Sequence, residues 1–459
     1  MRATERLAQF IVETGYEDMP PAAIQAAKRA MLDTLGVMVA GSQEPAGRII
    51  TSFVSSLGGK PRAGVVGAGF RTSQPDAALA NGIMGHALDY DDFSWWANEG
   101  HPSVTLLPCV LASGEDLEAP GERLIEAFIL GFEVIGRLAI SGINPRAMGF
   151  HSTAIFGTMG AAAAAAKLAG LGVEQTRMAL GLAASHTSGI GINRGTMTKP
   201  YHAGNAARSG VMAALLVREG FTAGTNLIEG TKGFSDAFAG ATEWDESKIT
   251  NNLGNSYFIS SPGVTVKKYP TCYFTHRCID AMLQLSGTYQ ISADDVAEVD
   301  CQIGTLASNL LTYNDPVTYL EGKFSLPFCV AIALLEQKVG LAQVTNEKVN
   351  DPRTKQLMKR VRVCPTDEPM SSADVVKVRL KNSQEYSLSI EKPRGDPDLP
   401  LTDEMLIAKF RDCVAILLPE DEVEQVLELM LNLEQLQQAS QLMDIISQNK
   451  SLIHSPRTS

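Results

Sequence analysis

Apolar residues recur at three- and four-residue spacing through the first part of the chain, from Glu5 to about Gly263. This period is typical of amphipathic helices that bury one face. Most of the periodic segments end in glycine, which often terminates a helix. The pattern predicts helices over residues 7–15, 22–41, 75–92, 121–140 and 153–172. Because repeated Ala and Gly positions let helices approach closely, we expect an all-helical domain.

The pattern changes near Pro262, where β-branched residues and alternation of apolar with polar positions become common. Such segments are typical of strands. The predicted strand segments are residues 264–269, 295–304 and 373–390. The hydrophilic run 391–404 that follows has the Pro, Gly and Asp content of a connecting loop.

Helical spacing returns after this loop, in residues 419–436, which open on Pro419 and acidic residues. Its apolar stripe consists of Val423, Val426, Leu427, Met430 and Leu431. We expect this stripe to pack on the helical part of the chain. The whole pattern predicts a mainly α protein, with an all-helical domain over 1–262 and 401–459 and a smaller α+β domain over 263–400.

Length and composition narrow the class of protein. At 459 residues the chain is longer than one ordinary core supports, which agrees with two domains. The net charge of -12 and the lack of a Lys/Arg-rich run argue against a nucleic-acid partner. The most lipid-like stretch, 153–166, is shorter than the roughly 20 residues that span a bilayer, so we expect no membrane segment.

The N-terminal residues and the cysteines indicate the compartment. Four acidic groups within the first eighteen residues match neither a signal peptide nor a transit peptide. The seven cysteines are scattered without CxxC spacing, which indicates reduced thiols and no zinc or iron–sulfur site. We therefore predict a cytoplasmic protein.

The segment 85–101 concentrates titratable side chains and aromatic residues. It contains His86, Asp89, Asp91, Asp92, Trp95, Trp96 and His101. Carboxylates and imidazoles that lie close together shift one another's pKa values, as acid–base sites require. An equally good alternative is that these residues cap a helix and solvate a loop. Within the segment, His86 has the apolar, small-residue context of a structural core histidine, as His186 has further along.

Basic and hydroxyl groups cluster in four further segments. The candidates are His151; then Arg194, Lys199, His202 and Arg208; then Lys267, Lys268 and His276; and finally Tyr313 and Lys323. In an acidic protein such clusters indicate a locally positive pocket for an anionic substrate. The alternative is a set of solvated helix ends, which is the commoner role for a residue such as Arg208. P-loop, GxSxG and HExxH motifs are absent from the sequence.

The motifs GHALDYDD, GHPS, FHSTA, KPYHAGNAARSG, KKYPTCYFTH and KFSLPFC closely resemble those of the MmgE/PrpD family, in the family's order and over nearly the whole chain. This family includes 2-methylcitrate dehydratase, cis-aconitate decarboxylase and iminodisuccinate epimerase. The resemblance implies a large helical domain with a smaller α+β lid, and a homodimer. It also implies a reaction on a small anionic carboxylate without a metal or an organic cofactor.

The resemblance also implies how negative charge is handled, because these reactions build carbanion- or enolate-like charge beside a carboxylate. Lys199 and Lys267 would bind substrate carboxylates and stabilise that charge, with Arg194 or Lys268 as supplements. His276 and Cys272 belong to the second lysine's motif, so we expect them to contact substrate as well.

Proton transfer is the second implied function. Asp91 would orient His101, and His101 together with His151 would act as general acid and base. Tyr313 would be a proton donor from the lid. The Trp95–Trp96 pair either lines the pocket or anchors its loop against the core or a partner subunit.

One position departs from part of the family. Cys272 stands two residues after the Pro of the lysine motif, where the decarboxylases have a histidine and dehydratase-like members tend to have cysteine. The resemblance therefore favours removal of water from a hydroxylated di- or tricarboxylate such as 2-methylcitrate. Decarboxylation and epimerisation in the same pocket stay open, and so does a non-catalytic carboxylate-binding protein.

Overall fold

The computed structural model describes residues 2–240, 243–367 and 373–448. The chain forms two compact units, one of Met1–Thr265 with Thr402–Ser459 and one of Val266–Leu401. The first unit is almost entirely helical, and the second combines helices with a four-stranded sheet. The predicted fold class, mainly α with a smaller α+β part, is confirmed.

The first unit is built from helices and one very short antiparallel ribbon. Its helices are α1 (Ala3–Glu13), α2 (Pro21–Gly41), α3 (Pro45–Leu57), α4 (Gln74–Ala87), α5 (Ser103–Asp116), α6 (Gly121–Ile140), α7 (Ser152–Leu168), α8 (Val173–Ala184), α9 (Thr198–Arg218), α10 (Phe234–Phe238) and α11 (Glu246–Thr250). The ribbon pairs β1 (Ala63–Gly64) with β2 (Arg71–Thr72). The three last helices of the chain, α18 (Asp403–Val414), α19 (Glu420–Leu431) and α20 (Ser440–Ile446), also belong to this unit.

Helices α4, α7 and α9 pack closely because small residues line their contacts. A Cβ added to Gly82 of α4 would lie 2.6 Å from the Cα of Gly204 in α9, so only hydrogen atoms fit between the two backbones. The Ala run 161–166 of α7 is buried throughout. Because the helices approach closely at Gly82 and Gly204, the end of α4 lies near the start of α9.

The second unit contains a mixed sheet with strand order β4-β3-β5-β6. Its strands are β3 (Val296–Gly304), β4 (Val361–Thr366), β5 (Asp374–Leu380) and β6 (Glu385–Ile390). Its helices are α12 (His276–Tyr289), α13 (Thr305–Leu310), α14 (Tyr319–Gly322), α15 (Leu326–Glu336), α16 (Asn346–Asn350) and α17 (Pro352–Met358). Strand β3 is parallel to β4, with Val299 opposite Val361, and antiparallel to β5. Strands β5 and β6 form an antiparallel hairpin, and α12 packs on both.

Two expectations about strands are wrong. The segment 264–269 is not a strand: Thr265 forms only an isolated bridge with Phe93, and the N–H of Val266 donates to the loop carbonyl of Gly395 at 3.0 Å. The alternating sequence has no strand beside it, so it runs as irregular extended chain. The part expected to be all helical contains β1 and β2, whose turn is closed by Gly67 and Gly69 at positive φ.

Two expectations about helices also need correction. The helix predicted over 75–92 ends at Ala87, because Asp89 adopts a left-handed conformation with φ of 52°. In α19, Val423, Val426, Leu427 and Met430 are buried, and the helix packs on α2, but Leu431 at its last position is 45% exposed. In the described ranges, no helix has the length and apolarity that a membrane crossing requires.

The close approach of α4 and α9 predicts the cost of a single methyl group. We expect Gly204→Ala to lower the free energy of unfolding by about 2 kcal/mol, because the added Cβ clashes with the backbone of α4 at Leu79. Gly224→Ala is the control, since nothing lies within 4 Å of a Cβ at that position. Urea unfolding followed by circular dichroism measures both, and equal stability of the two variants would contradict the packing described.

Candidate active site

The candidate site begins where α4 ends. His86 lies in the last turn of α4, and the left-handed conformation of Asp89 turns the chain so that Asp89 and Asp91 are both buried in the helical unit. Lys409 of α18 stabilises this turn by donating to the Tyr90 carbonyl at 2.8 Å. The same ammonium pairs with Asp33 of α2 at 2.6 Å. The turn is therefore held by Lys409 of α18, which is itself held by Asp33 of α2.

Asp91 lies between two imidazoles. Its carboxylate oxygens are each 2.9 Å from Nδ1 of His86, and one of them is 3.1 Å from Nδ1 of His101. All three side chains are buried. Burial alone would raise the pKa of Asp91, but charge interactions and hydrogen bonds with the two imidazoles hold it well below its usual range. Asp91 is therefore an ionised acceptor for both rings.

The partners of these imidazoles determine their tautomers. Among the described residues, Nδ1 of His86 faces the Asp91 carboxylate, and Nδ1 of His101 faces Asp91 and the Asp92 carbonyl, the latter at 2.6 Å. Carboxylate and carbonyl oxygens only accept hydrogen bonds, so both Nδ1 atoms carry the proton. In a neutral ring the Nε2 atom then has a free lone pair and can act as a base.

A second imidazole pair lies beside the first. His151 precedes the first residue of α7, and its Nδ1 lies 3.2 Å from Nδ1 of His202 in the first turns of α9. The other nitrogen of His151 is 3.1 Å from Oγ1 of Thr153, which also accepts a hydrogen bond from the backbone N–H of His101. The rings of His86 and His151 are stacked, with centroids 5.9 Å apart and planes 18° apart. Four of the seven histidines of the chain thus form one cluster.

Burial keeps these imidazoles neutral. It lowers the pKa of His101 to about 3, despite the opposing effect of Asp91, and lowers the pKa of His202 to about 4. The pKa of His151 is well below its ordinary value, first through burial and then through the nearby ammonium of Lys199. The imidazoles of the cluster are therefore neutral near pH 7, which is the protonation state that a general base requires.

Lys199 and Asp89 form a buried ion pair at the edge of the cluster. Lys199 is the second residue of α9, and Asp89 reaches it from the turn after α4. The left-handed backbone of Asp89 is a conformation that aspartate tolerates better than most residues, and it directs the carboxylate to the lysine. The site therefore contains a held cation as well as bases.

Asp92 differs from its neighbour Asp91 in its ionisation. Burial raises the pKa of Asp92 to about 8, although its carboxylate is hydrogen-bonded by the hydroxyl of Ser103 and, at 3.3 Å, by the Ser103 N–H at the start of α5. Near pH 7 Asp91 is therefore ionised and Asp92 is protonated, because two imidazoles donate to Asp91 and, among the described contacts, none donates to the Asp92 carboxylate.

The helical unit brings together four of the residues predicted from sequence: Asp91, His101, His151 and Lys199. Arg194 is different. It lies in the segment before α9, half-buried, where it interacts electrostatically with Glu99 and Arg146. Glu99 and Arg146 lie outside the imidazole cluster, so the predicted supplementary role of Arg194 stays a prediction.

The remaining predicted residues lie in the second unit. Lys267 is buried. Lys268 pairs with Asp280 of α12 at 3.2 Å, and that carboxylate also accepts a hydrogen bond from the Tyr269 hydroxyl. These contacts give Lys268 a structural role in the second unit. The other three predicted residues are Cys272, which is buried, His276, which is buried at the start of α12, and Tyr313, which is half-buried between α13 and α14.

Sequence reasoning missed three members of the cluster. His86 is indeed a hydrogen-bonded core imidazole, as expected, but its partner is Asp91, which places it in the site. Asp89 and His202 were recognised only as charged or basic groups, without a role. His86, Asp89 and Asp91 lie within six positions of one another at a helix end. This spacing is the sequence signal that could have indicated a shared site for His86 and Asp89.

The two tryptophans have different surroundings. Trp96 donates from its indole N–H to the Gly263 carbonyl at 2.8 Å, and its ring packs on Phe132 and Phe258. These contacts support the anchoring alternative for Trp96. Trp95 packs edge-on against Phe93, which itself contacts the ring of His101, so Phe93 connects Trp95 to the cluster.

Comparison with known proteins identifies the family. The model of the MmgE/PrpD N-terminal domain matches residues 5–247, and the model of the MmgE/PrpD C-terminal domain matches residues 269–435. The chain belongs to the MmgE/PrpD family. The resemblance in the sequence motifs is thereby confirmed.

Curated MmgE/PrpD relatives match over almost their full lengths. The chain is similar to a cis-aconitate decarboxylase from Mus musculus, with 28% identity over 456 residues that cover 96% of this chain and 92% of the relative. It is also similar to a cis-aconitate decarboxylase from Aspergillus terreus, with 24% identity over 472 residues that cover 97% and 96%.

The lowered pKa of His202 predicts a pH dependence of stability. In the unfolded state His202 takes up a proton near pH 6.5, whereas in the folded state it does not until about pH 4. The free energy of unfolding therefore decreases as the pH is lowered from 7.5 to 5. In His202→Gln this fall should be smaller by about 1–2 kcal/mol. Urea unfolding at both pH values measures the difference, and an equal fall in wild type and variant would contradict the burial argument.

Proposed function

We propose that this protein is a lyase that acts on a small di- or tricarboxylate, and that it removes water from a hydroxylated substrate of the 2-methylcitrate type. The observation that carries this proposal is the pair of imidazoles fixed by Asp91, which leaves neutral Nε2 atoms ready to accept a proton. Elimination of water beside a carboxylate begins with removal of a proton from carbon, and such a base is what that step requires.

The proposed reaction uses the cluster in two roles. His101 or His151 takes the proton from the carbon next to the substrate carboxylate, and the electron pair moves into the carboxylate to give an enolate-like anion. The carbon–oxygen bond to the hydroxyl then breaks, the double bond forms, and the departing hydroxide takes a proton to leave as water. The imidazolium formed in the first step can supply that proton, so the cluster is returned to its neutral state.

Lys199 is proposed to stabilise the negative charge. Its ammonium is held by Asp89 inside the helical unit, where a fixed charge interacts more strongly than in water. Because the pair is formed before substrate arrives, Lys199 needs little rearrangement to meet a substrate carboxylate.

Residues of the second unit enter the proposal only through the resemblance. Lys267 is proposed as a second carboxylate ligand, with Lys268 as a supplement and Tyr313 as a proton donor. Arg194 of the first unit is proposed as a further supplement on the same ground. Cys272 and His276 are proposed to contact substrate. The homodimer and the cytoplasmic location likewise stay predictions.

Decarboxylation is the second candidate, because the curated relatives that match are named cis-aconitate decarboxylases. Loss of carbon dioxide leaves a carbanion that must be protonated, so a protonated donor has to be present in the site when carbon dioxide leaves. Lowered pKa values make imidazolium donors scarce at pH 7 in the free protein. Cys272, at the position where the decarboxylases have histidine, adds to the argument for elimination of water.

Proton NMR in deuterated water separates these reactions, with 2-methylcitrate, citrate, cis-aconitate and iminodisuccinate as candidate substrates. We expect the methyl doublet of 2-methylcitrate to be replaced by the singlet of a methyl group on a double bond, which marks removal of water. Itaconate from cis-aconitate would support decarboxylation instead, and deuterium in an otherwise unchanged acid would support epimerisation. Binding of an acid without any of these changes would support the non-catalytic alternative and contradict the proposal.

Single substitutions link the reaction to the cluster. His151→Gln and Lys199→Met should each lower kcat/KM by about 10²- to 10⁴-fold, the usual contribution of a positioned acid–base or charge-stabilising group. His186→Gln, a histidine outside the cluster, is the matched control and should keep the wild-type rate. Full activity in either cluster variant would remove that residue from the mechanism.

A further inference from the structure

Three imidazoles of the cluster come close enough together to bind one metal ion. His86, His101 and His151 each offer one ring nitrogen, and the three nitrogens lie within 4.8 Å of one another in a buried position. We propose that these histidines bind a divalent first-row transition-metal ion of the Zn²⁺ class, and that the ion inhibits the enzyme. Binding stands on this geometry alone, whereas inhibition rests on the proposed function.

An unsatisfied atom points independently to a ligand. Nε2 of His86 is buried and has no hydrogen-bond partner among the residues described. Its Nδ1 already donates to Asp91, so Nε2 presents a bare lone pair inside the protein. A buried polar atom without a partner is unfavourable, and coordination of a cation would satisfy it.

Asp91 supplies the outer contact that metal-binding histidines usually have. A histidine ligand commonly donates its second N–H to a carboxylate or a carbonyl, which fixes the ring and strengthens it as a ligand. His86 and His101 both have this arrangement through Asp91, and His101 also donates to the Asp92 carbonyl. Neutral imidazole is the form that binds metal, and in His86 and His101 the proton lies on Nδ1, so no proton has to leave their Nε2 atoms.

Size and charge are compatible with such an ion. A tetrahedral Zn²⁺ lies about 2.1 Å from each imidazole nitrogen, which would draw the three nitrogens to roughly 3.4 Å from one another. Rotation of the rings can supply this change. The charged groups beside the cluster are Asp89, Asp91 and Lys199, whose formal charges sum to one negative charge and thus favour a cation.

Bound metal would block the proposed reaction. The ion would occupy the lone pairs that His101 and His151 need to accept a proton, and the resemblance implies a reaction that uses no metal. The fourth position of the ion would stay open to water or to a carboxylate. We therefore expect the metal to act as an inhibitor whose effect rises with its occupancy.

Cobalt(II) tests the binding without any measurement of turnover. The metal-free full-length protein is titrated with Co²⁺ at pH 7.5, and visible absorption reports tetrahedral coordination. We expect saturation at one ion per chain, together with paramagnetically shifted imidazole N–H signals in the proton NMR spectrum of the wild-type protein. Failure to saturate below millimolar Co²⁺, or octahedral absorption without shifted imidazole signals, would overturn the proposal.

Variants then locate the ion. His86→Gln should weaken Co²⁺ binding by about tenfold or more, and Asp91→Asn by about 10- to 100-fold through the lost outer contact. His186→Gln is the control and should bind as the wild type does. Equal affinity in His86→Gln and wild type, with folding verified by circular dichroism, would overturn the assignment of the site.

Inhibition is measured separately on whichever acid the NMR panel identifies as substrate. We expect turnover to fall in proportion to the fraction of protein that has bound Zn²⁺, and to recover on chelation. Turnover that is unchanged or increased at full occupancy would overturn the inhibition while the binding result stands. If no acid in the panel reacts, the proposed function fails and inhibition fails with it, but the Co²⁺ titration still decides whether the ion binds.

Discussion

The buried carboxylate of Asp91 is the constraint on which the site depends. An ionised group can remain in a protein interior only if donors surround it, and here the donors are the Nδ1–H groups of His86 and His101. The same hydrogen bonds that make the charge tolerable also fix both rings in one tautomer. The same hydrogen bonds therefore stabilise the buried carboxylate and leave the Nε2 atoms of His86 and His101 as bases.

The helix packing of the first unit makes this arrangement possible. Backbone contact at Gly82 and Gly204 draws α4 and α9 together, so Asp89 from one helix end meets Lys199 from the other. His151 at the start of α7 contacts His202 of α9 in the same region. The end of α4 and the starts of α5, α7 and α9 therefore supply the cluster, and the small residues inside these helices matter as much as the polar residues at their ends.

Much of the fold could be predicted from the sequence because helical periodicity is a local signal. The helices over 22–41 and 121–140 agree closely with α2 and α6. The segment 264–269 was misjudged for a related reason: alternation indicates an extended chain, but a strand also needs a neighbour that local sequence does not reveal. The early end of α4 depends on a single left-handed residue, Asp89.

The candidate site was predictable only in part. Asp91, His101, His151 and Lys199 stand in motifs that the family shares, so resemblance pointed to them. The importance of His86, Asp89 and His202 depends on partners, and two of those contacts join residues that are 110 and 51 positions apart in the chain. Such pairings follow from the packing of helices, which spacing along the sequence does not specify.

Asp91 fixes two neutral imidazoles, those of His86 and His101, with the proton on Nδ1 and a lone pair on Nε2. Nitrogen-15 NMR of histidine-labelled, metal-free protein at pH 7 measures it directly, with the signals of His86 and His101 assigned by their loss in single His→Gln variants. We expect the Nδ1–H tautomer for both rings. Signals of an imidazolium, or of the Nε2–H tautomer, at either residue would contradict it.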